Sequence, residues 1–212
     1  MKKLGLLGCG VLLIIVIGIV GIVAMFAMTN YNTLVSAQEG VNNAWAQVEN
    51  VYQRRADLIP NLVATVKGVA NFEKDTYTAV TEARSRVGQI KVTPEMLNDP
   101  NAIAQFQKAQ GELGSAISRL LVVAENYPEL KANQNFLELQ SQLEGTENRI
   151  TVERQNFNEA VQRYNAGIRT FPNVLFAGAM GFQTKPYFAA KEGADTPPKV
   201  QFDFNKTAPA KP

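Results

Sequence analysis

The stretch Gln53 to Gly68, QRRADLIPNLVATVKG, places the chain's most suggestive chemical groups within two helical turns. Arg54 and Arg55 present two adjacent guanidinium groups, Asp57 follows, and Pro60 interrupts an apolar repeat. A proline inside a helix has no N–H to give and leaves a carbonyl unpaired four residues back. The sequence supports two readings. In the first, the proline is a kinked joint. Arg54 pairs with Asp57 three residues on, and both arginine stems lie along the apolar seam with their heads in water or on a partner. In the second, the break and the paired arginines bind an anionic group.

Other chemistry is sparse. The chain has no histidine, which removes the commonest general base and a principal metal ligand. Its single cysteine, Cys9, lies in an apolar run and cannot form an internal disulfide. LLGCG, ending just past Cys9, resembles a lipoprotein box, but the apolar stretch before it is shorter than such a signal needs, so lipidation is a minor expectation. No phosphate-binding glycine loop and no G-x-S-x-G elbow occur. Glu144 and Glu147 share a helix face, and with Arg149 and Arg154 close by they read as a solvated surface. From Asn30 to Ala190 the chain carries 15 Lys and Arg against 16 Asp and Glu, so no basic footprint for nucleic acid exists. No cofactor, metal or catalytic residue is expected.

A second candidate surface is GFQTKPYF, residues 181–188. It either folds back and seals one end of a bundle, or exposes Phe182, Lys185, Tyr187 and Phe188 as a binding patch.

The elements that must position these residues are helical. Leu4 to Met28 is an uncharged run of 25 residues. As a helix it is ~37 Å long, enough to cross a hydrocarbon core of ~30 Å. It is too long for a signal-peptide core, so a retained, single-pass anchor is expected. Lys2 and Lys3 precede it and no Lys or Arg occurs from Thr29 to Gln53, which places the N-terminus in the cytoplasm and the body outside. Gly18, Gly21, Ala24 and Ala27 give the span a small-residue face that permits close helix packing.

Beyond the span the apolar residues recur at heptad spacing. Tyr31, Trp45, Tyr52, Ile59 and Val66 form one row, and Leu34, Val41, Val48, Leu62 and Val69 the other, with Gln38 and Arg55 as polar exceptions. A break near Gly68 to Asn71 yields an up-and-down bundle. A straight helix to Ile90 would be a rod of ~90 Å requiring a partner. Asp99 caps a further helix, striped by Ile103, Phe106, Leu113, Ile117, Leu120 and Ala124, which ends before NYPEL. The last long helix runs to about Thr170 with Phe136, Leu143, Ile150, Phe157, Tyr164 and Phe171 seven apart. Trp45, Tyr52 and Tyr164 read as core aromatics.

The predicted class is therefore all-α: a transmembrane helix followed by an antiparallel bundle of about four long, coiled-coil-like helices. Residues 1–28 form the cytoplasmic stub and anchor, 29–190 the bundle, and 191–212 a disordered tail without periodicity.

The chain resembles the LemA family of bacterial membrane-anchored helical proteins. The resemblance lies in YNTLV (31–35), NNAWAQVEN (42–50), QRRADLIPNLVATVKG, LEGTENRI (143–150), YNAGIRTFP (164–172) and GFQTKPYF, in the family's order. It implies one N-terminal membrane helix, a soluble helical bundle and no established catalysis. It also implies a short N-terminus outside the cell, opposite to the charge argument. The family's gene neighbourhoods imply a membrane metallopeptidase as a partner. The functional expectation is a membrane-anchored scaffold that self-associates or binds a membrane partner. The alternatives are a binding module or metallopeptidase regulator built on Arg54, Arg55 and the Pro60 kink, and a carboxylate-based enzyme.

Overall fold

The computed structural model describes residues 2–69 and 72–189, without the side chains of 2–11 and 23. The four long helices are α1 (Lys2–Lys67), α2 (Lys74–Gln89), α3 (Pro100–Ala124) and α5 (Gln134–Arg169), with one turn, α4 (Pro128–Lys131), between the last two. No strand occurs among the described residues. Short 3-10 turns at Pro94–Asn98 and Asn173–Leu175 complete the order. The 191–212 tail lies outside the described residues.

α1 contains 66 residues and spans ~100 Å. Between Leu12 and Met28 its described side chains are apolar and mostly exposed, with Leu12, Ile14, Ile17, Ile22, Met25 and Met28 all more than half exposed. Six residues past Met28, Leu34 is buried, and from there the helix is the spine of the bundle. The helix closes at Lys67, with the Gly68 amide 3.3 Å from both Ala64 O and Thr65 O. The chain therefore turns where the bundle expectation placed the break, and the argument for an oligomer from a straight rod lapses.

α3 starts as its sequence dictates. Pro100 occupies the first turn, where no N–H is needed, and the Asp99 side chain accepts from the Asn101 amide at 2.9 Å. α5 is capped likewise by Asn133, whose Oδ1 accepts from the Phe136 amide at 3.1 Å.

The helices alternate in direction. In the first half of the buried part of α1, Trp45 meets Phe157 of α5 and Phe106 of α3. At the far end, Phe72, just before α2, meets Tyr127, just after α3. The heptad rows are buried inside one chain: Leu34, Val41, Trp45, Val48, Tyr52, Ile59, Leu62 and Val66 on α1, and Phe136, Leu143, Ile150, Phe157 and Tyr164 on α5. Tyr31 and Phe171, at the ends of their rows, are exposed. Phe171 departs from its heptad because α5 stops at Arg169, two residues earlier.

Candidate functional site

The buried core divides into two apolar clusters. One contains Leu34 to Tyr52 of α1, Ile103 and Phe106 of α3, and Ile150 to Ile168 of α5. The other contains Ile59 to Val66, the buried face of α2, Leu113 to Ala124, and Phe136 with Leu143. Arg55, Gln110 and Glu147 lie at the level between them. Arg55 Nη1 donates to Glu147 Oε1 at 2.7 Å, and Nη2 donates to the Gln110 carbonyl at 3.1 Å and to the Gln110 side-chain oxygen. The guanidinium also lies 5.0 Å from the centre of the Tyr52 ring, a cation–π distance.

Arg55 is 3% exposed, against the expectation that its head reaches water or a partner. The reason is its place in the row. It occupies a seam position between Tyr52 and Ile59, so its side chain enters the interior, where a charge is tolerated only when paired and hydrogen-bonded. Glu147 is half-exposed and supplies the opposite charge from the rim. Arg55 Nε has no hydrogen-bond partner among the described residues. Arg54 is exposed, and Asp57 takes its hydrogen bond from Gln53 Nε2 at 2.7 Å, so no Arg54–Asp57 pair forms among the described residues.

Pro60 is exposed and lies within an unbroken α1. The carbonyl its ring deprives of a donor is that of Ala56. Arg84 of α2 supplies the donor instead, with Nε at 2.9 Å from Ala56 O. The proline is thus a joint between α1 and α2, and the freed carbonyl is already taken. An open groove of about 620 Å³ lies alongside, lined in part by Glu49, Tyr52, Arg84, Lys91 and Gln110. Burial raises the Tyr52 hydroxyl above its ordinary value, the nearby Arg154 and Arg55 opposing it.

The 181–188 segment folds back along α5. Phe182, Lys185 and Phe188 are buried, and Tyr187 alone of the four expected patch residues is exposed. Two asparagines not singled out from the sequence hold it. Asn165 donates to the Lys185 carbonyl at 2.8 Å and accepts its amide at 2.9 Å. Asn158 donates to the Phe188 carbonyl at 3.2 Å and accepts its amide at 2.8 Å. They are seven apart on one helix face and pair the backbone as a neighbouring strand would. Phe188 then stacks on Trp45 and meets Phe157 edge-on. Lys185 Nζ donates to Asn98 Oδ1 at 2.9 Å and lies 5.6 Å from the Tyr164 ring centre. Burial lowers its pKa, with the Glu39 charge opposing.

Among the described residues no group of three or more Cys, Asp or Glu is placed to hold a metal.

These features define a class: a helical bundle whose spine continues into a helix long and apolar enough to cross a membrane. The LemA family profile matches residues 44–202, and the chain belongs to that family. It is similar to magnetosome protein MamQ 2 of Paramagnetospirillum magneticum, at 29% identity over 202 residues, covering 87% of this chain and 74% of the relative. MamQ of Magnetospirillum gryphiswaldense is 27% identical over 203 residues, covering 87% and 75%. Protein LemA of Metamycoplasma hominis is 24% identical over 173 residues, covering 82% and 75%. None of these names is that of an enzyme. Together with the apolar helix they support a membrane-associated helical protein.

Proposed function

We propose that this chain is a non-catalytic, membrane-anchored scaffold, a rigid post that presents a helical bundle at a fixed height above the bilayer. The observation that carries the reading is the continuity of α1. One uninterrupted helix is both the apolar span and the spine of the core, so the bundle has no hinge at the membrane among the described residues. A tethered domain would need a flexible linker there.

The seams cannot also bring copies together, because their side chains are consumed inside one chain. Self-association then runs through the span, where Gly18 and Gly21 have nothing within 4 Å of an added Cβ. The chain crosses once, with its N-terminal side cytoplasmic as Lys2 and Lys3 favour. A membrane partner, a metallopeptidase included, would meet exposed surface; the buried Arg55 is not available to it.

The test is chemical crosslinking of the full chain in membranes, followed by mass measurement of the species released in mild detergent. Discrete oligomers or a stoichiometric partner are expected. A strict monomer with no crosslinked partner would overturn the reading.

A further inference from the structure

The segment that joins α5 to the folded-back 181–188 stretch, residues 170–181, is unlike the rest of the bundle surface. Ten large apolar side chains beyond Met28 are exposed among the described residues, and four of them fall in this loop: Phe171 at 75%, Val174 at 54%, Leu175 at 73% and Met180 at 38%. The other six are scattered singly over the remaining elements, as is ordinary for a protein surface. A cluster of apolar side chains on a short loop marks a contact surface.

The loop's level relative to the span identifies what that surface meets. Gly167 lies against Leu34, with an added Cβ 3.4 Å from Leu34 Cδ2. The Phe182 ring lies 5.5 Å from that of Tyr31. Leu34 is six residues beyond Met28, ~9 Å along the axis, and Tyr31 only ~4.5 Å. Because α5 runs opposite to α1, its exit at Thr170 is nearer the span than Gly167. Both ends of the loop therefore stand within ~10 Å of the end of the apolar run, comparable with the ~5–7 Å headgroup layer of one leaflet.

The loop is also built to hold its apolar groups outward. Ala177 is buried, and Phe182 occupies the adjoining core position. Between these anchors, Val174 N donates to Thr170 O at 3.1 Å, Ala177 N to Asn173 O at 2.8 Å, and Phe182 N to Ala177 O at 3.0 Å. The Asn173 side chain ties the loop to the Gly167 carbonyl at 3.0 Å. Arg169, exposed at the last turn of α5, stands beside the loop where lipid phosphates would lie.

We propose that the 170–181 loop is a second membrane contact, with Phe171, Val174, Leu175 and Met180 seated in the interface of the bilayer that α1 spans. This rests on the membrane-anchored reading and adds to it a fixed rotational setting: one side of the bundle is held down, so the post has a defined face. The loop behaves as an interfacial element, apolar groups at the acyl boundary and a cation at the headgroups.

The experiment uses the full chain with Cys9→Ser, which removes the sole native thiol. Single cysteines are introduced at Leu175, at Ile17 in the span, and at Val122, an exposed position on α3 far from the membrane. Each is labelled with an environment-sensitive fluorophore and reconstituted into phosphatidylcholine–phosphatidylglycerol vesicles carrying a nitroxide near the headgroup. The Leu175 label is expected to be blue-shifted and quenched several-fold more than the Val122 label. Emission at Leu175 matching that at Val122, with Ile17 in lipid, would overturn the proposal while leaving the anchor intact. A blue shift without nitroxide quenching would place the loop against protein, such as a second copy, and would also overturn it. An Ile17 label in water would remove the anchor reading itself.

Discussion

Arg84 Nε lies 2.9 Å from the carbonyl oxygen of Ala56, the acceptor that Pro60 leaves without its helical donor. A defect in one helix thereby becomes a bond to the next. The consequence is a thermodynamic coupling between residues 24 apart in sequence. Arg84→Ala should cost about 1 kcal/mol, the usual net value of such a bond. In a Pro60→Ala background the residue-60 amide can reclaim Ala56 O, so the same change should cost markedly less. Chemical denaturation of the four proteins in detergent measures the coupling. Additive costs would show that Arg84 does not act on the proline's carbonyl.

Arg55 is held by groups from two other helices, and its loss should be among the costlier single changes in the bundle. Arg55→Ala leaves Gln110 and Glu147 unpaired and opens a cavity, with an expected loss of about 3–5 kcal/mol. Arg55→Lys should not restore it, because an ammonium cannot reach both neighbours in the fork geometry. Glu147→Ala leaves the buried Arg55 without its opposite charge, but it should cost less than Arg55→Ala, because Gln110 still holds the guanidinium and no interior cavity opens. Denaturation midpoints of the three variants rank these losses. Equal stability of Arg55→Lys and wild type would refute the bidentate role.

The rows that built this core were legible in the sequence because period alone assigns a side chain to the inside of a helix. The same rule applied to Arg55 would have buried it, since it stands at a seam position. Reading it as solvated let residue type override register. Phe171 shows the opposite limit, an uninterrupted heptad carried beyond the end of its helix. The fold-back segment was open between two readings because Asn158 and Asn165 pair with backbone, which leaves no trace in composition. Their one available signal is spacing, as each directly follows a seam aromatic, Phe157 or Tyr164. The Arg84–Ala56 bond was invisible because it requires knowing which helix lies beside the proline.

Those two asparagines give a residue-specific prediction. Asn165 pairs both backbone groups of Lys185, and Asn158 both of Phe188. Asn165→Ala should therefore speed hydrogen exchange at the Lys185 amide more than at Phe188, and Asn158→Ala should do the reverse. Each change removes two bonds, about 1–3 kcal/mol locally, or roughly tenfold to a hundredfold in exchange rate. Amide exchange followed by mass spectrometry at fragment resolution reads the difference. Uniform acceleration of the whole segment would mean that it opens as one unit.

Lys185 gives the bundle an alkaline signature. Burial lowers its pKa below the ordinary 10.5, and the Glu39 charge only partly offsets this. Tyr164 and Asn98 are its contacts and neither carries a compensating negative charge at neutral pH. Between the folded value and 10.5 the unfolded chain binds more protons than the folded one, so this group makes stability rise with pH across that window. Tyr164 bears the opposite sign. Burial raises its pKa above 10.0, so its contribution is present below that value and is lost as the pH climbs through the folded pKa. The two are separated by comparing wild type with Lys185→Met, which keeps the tyrosine and lacks the titration. The stability difference between them should move in favour of wild type as the pH rises from the lowered folded value towards 10.5. A flat difference would mean that the lysine keeps its proton as readily in the folded protein as in the unfolded chain, and that its burial is offset by groups beyond Glu39.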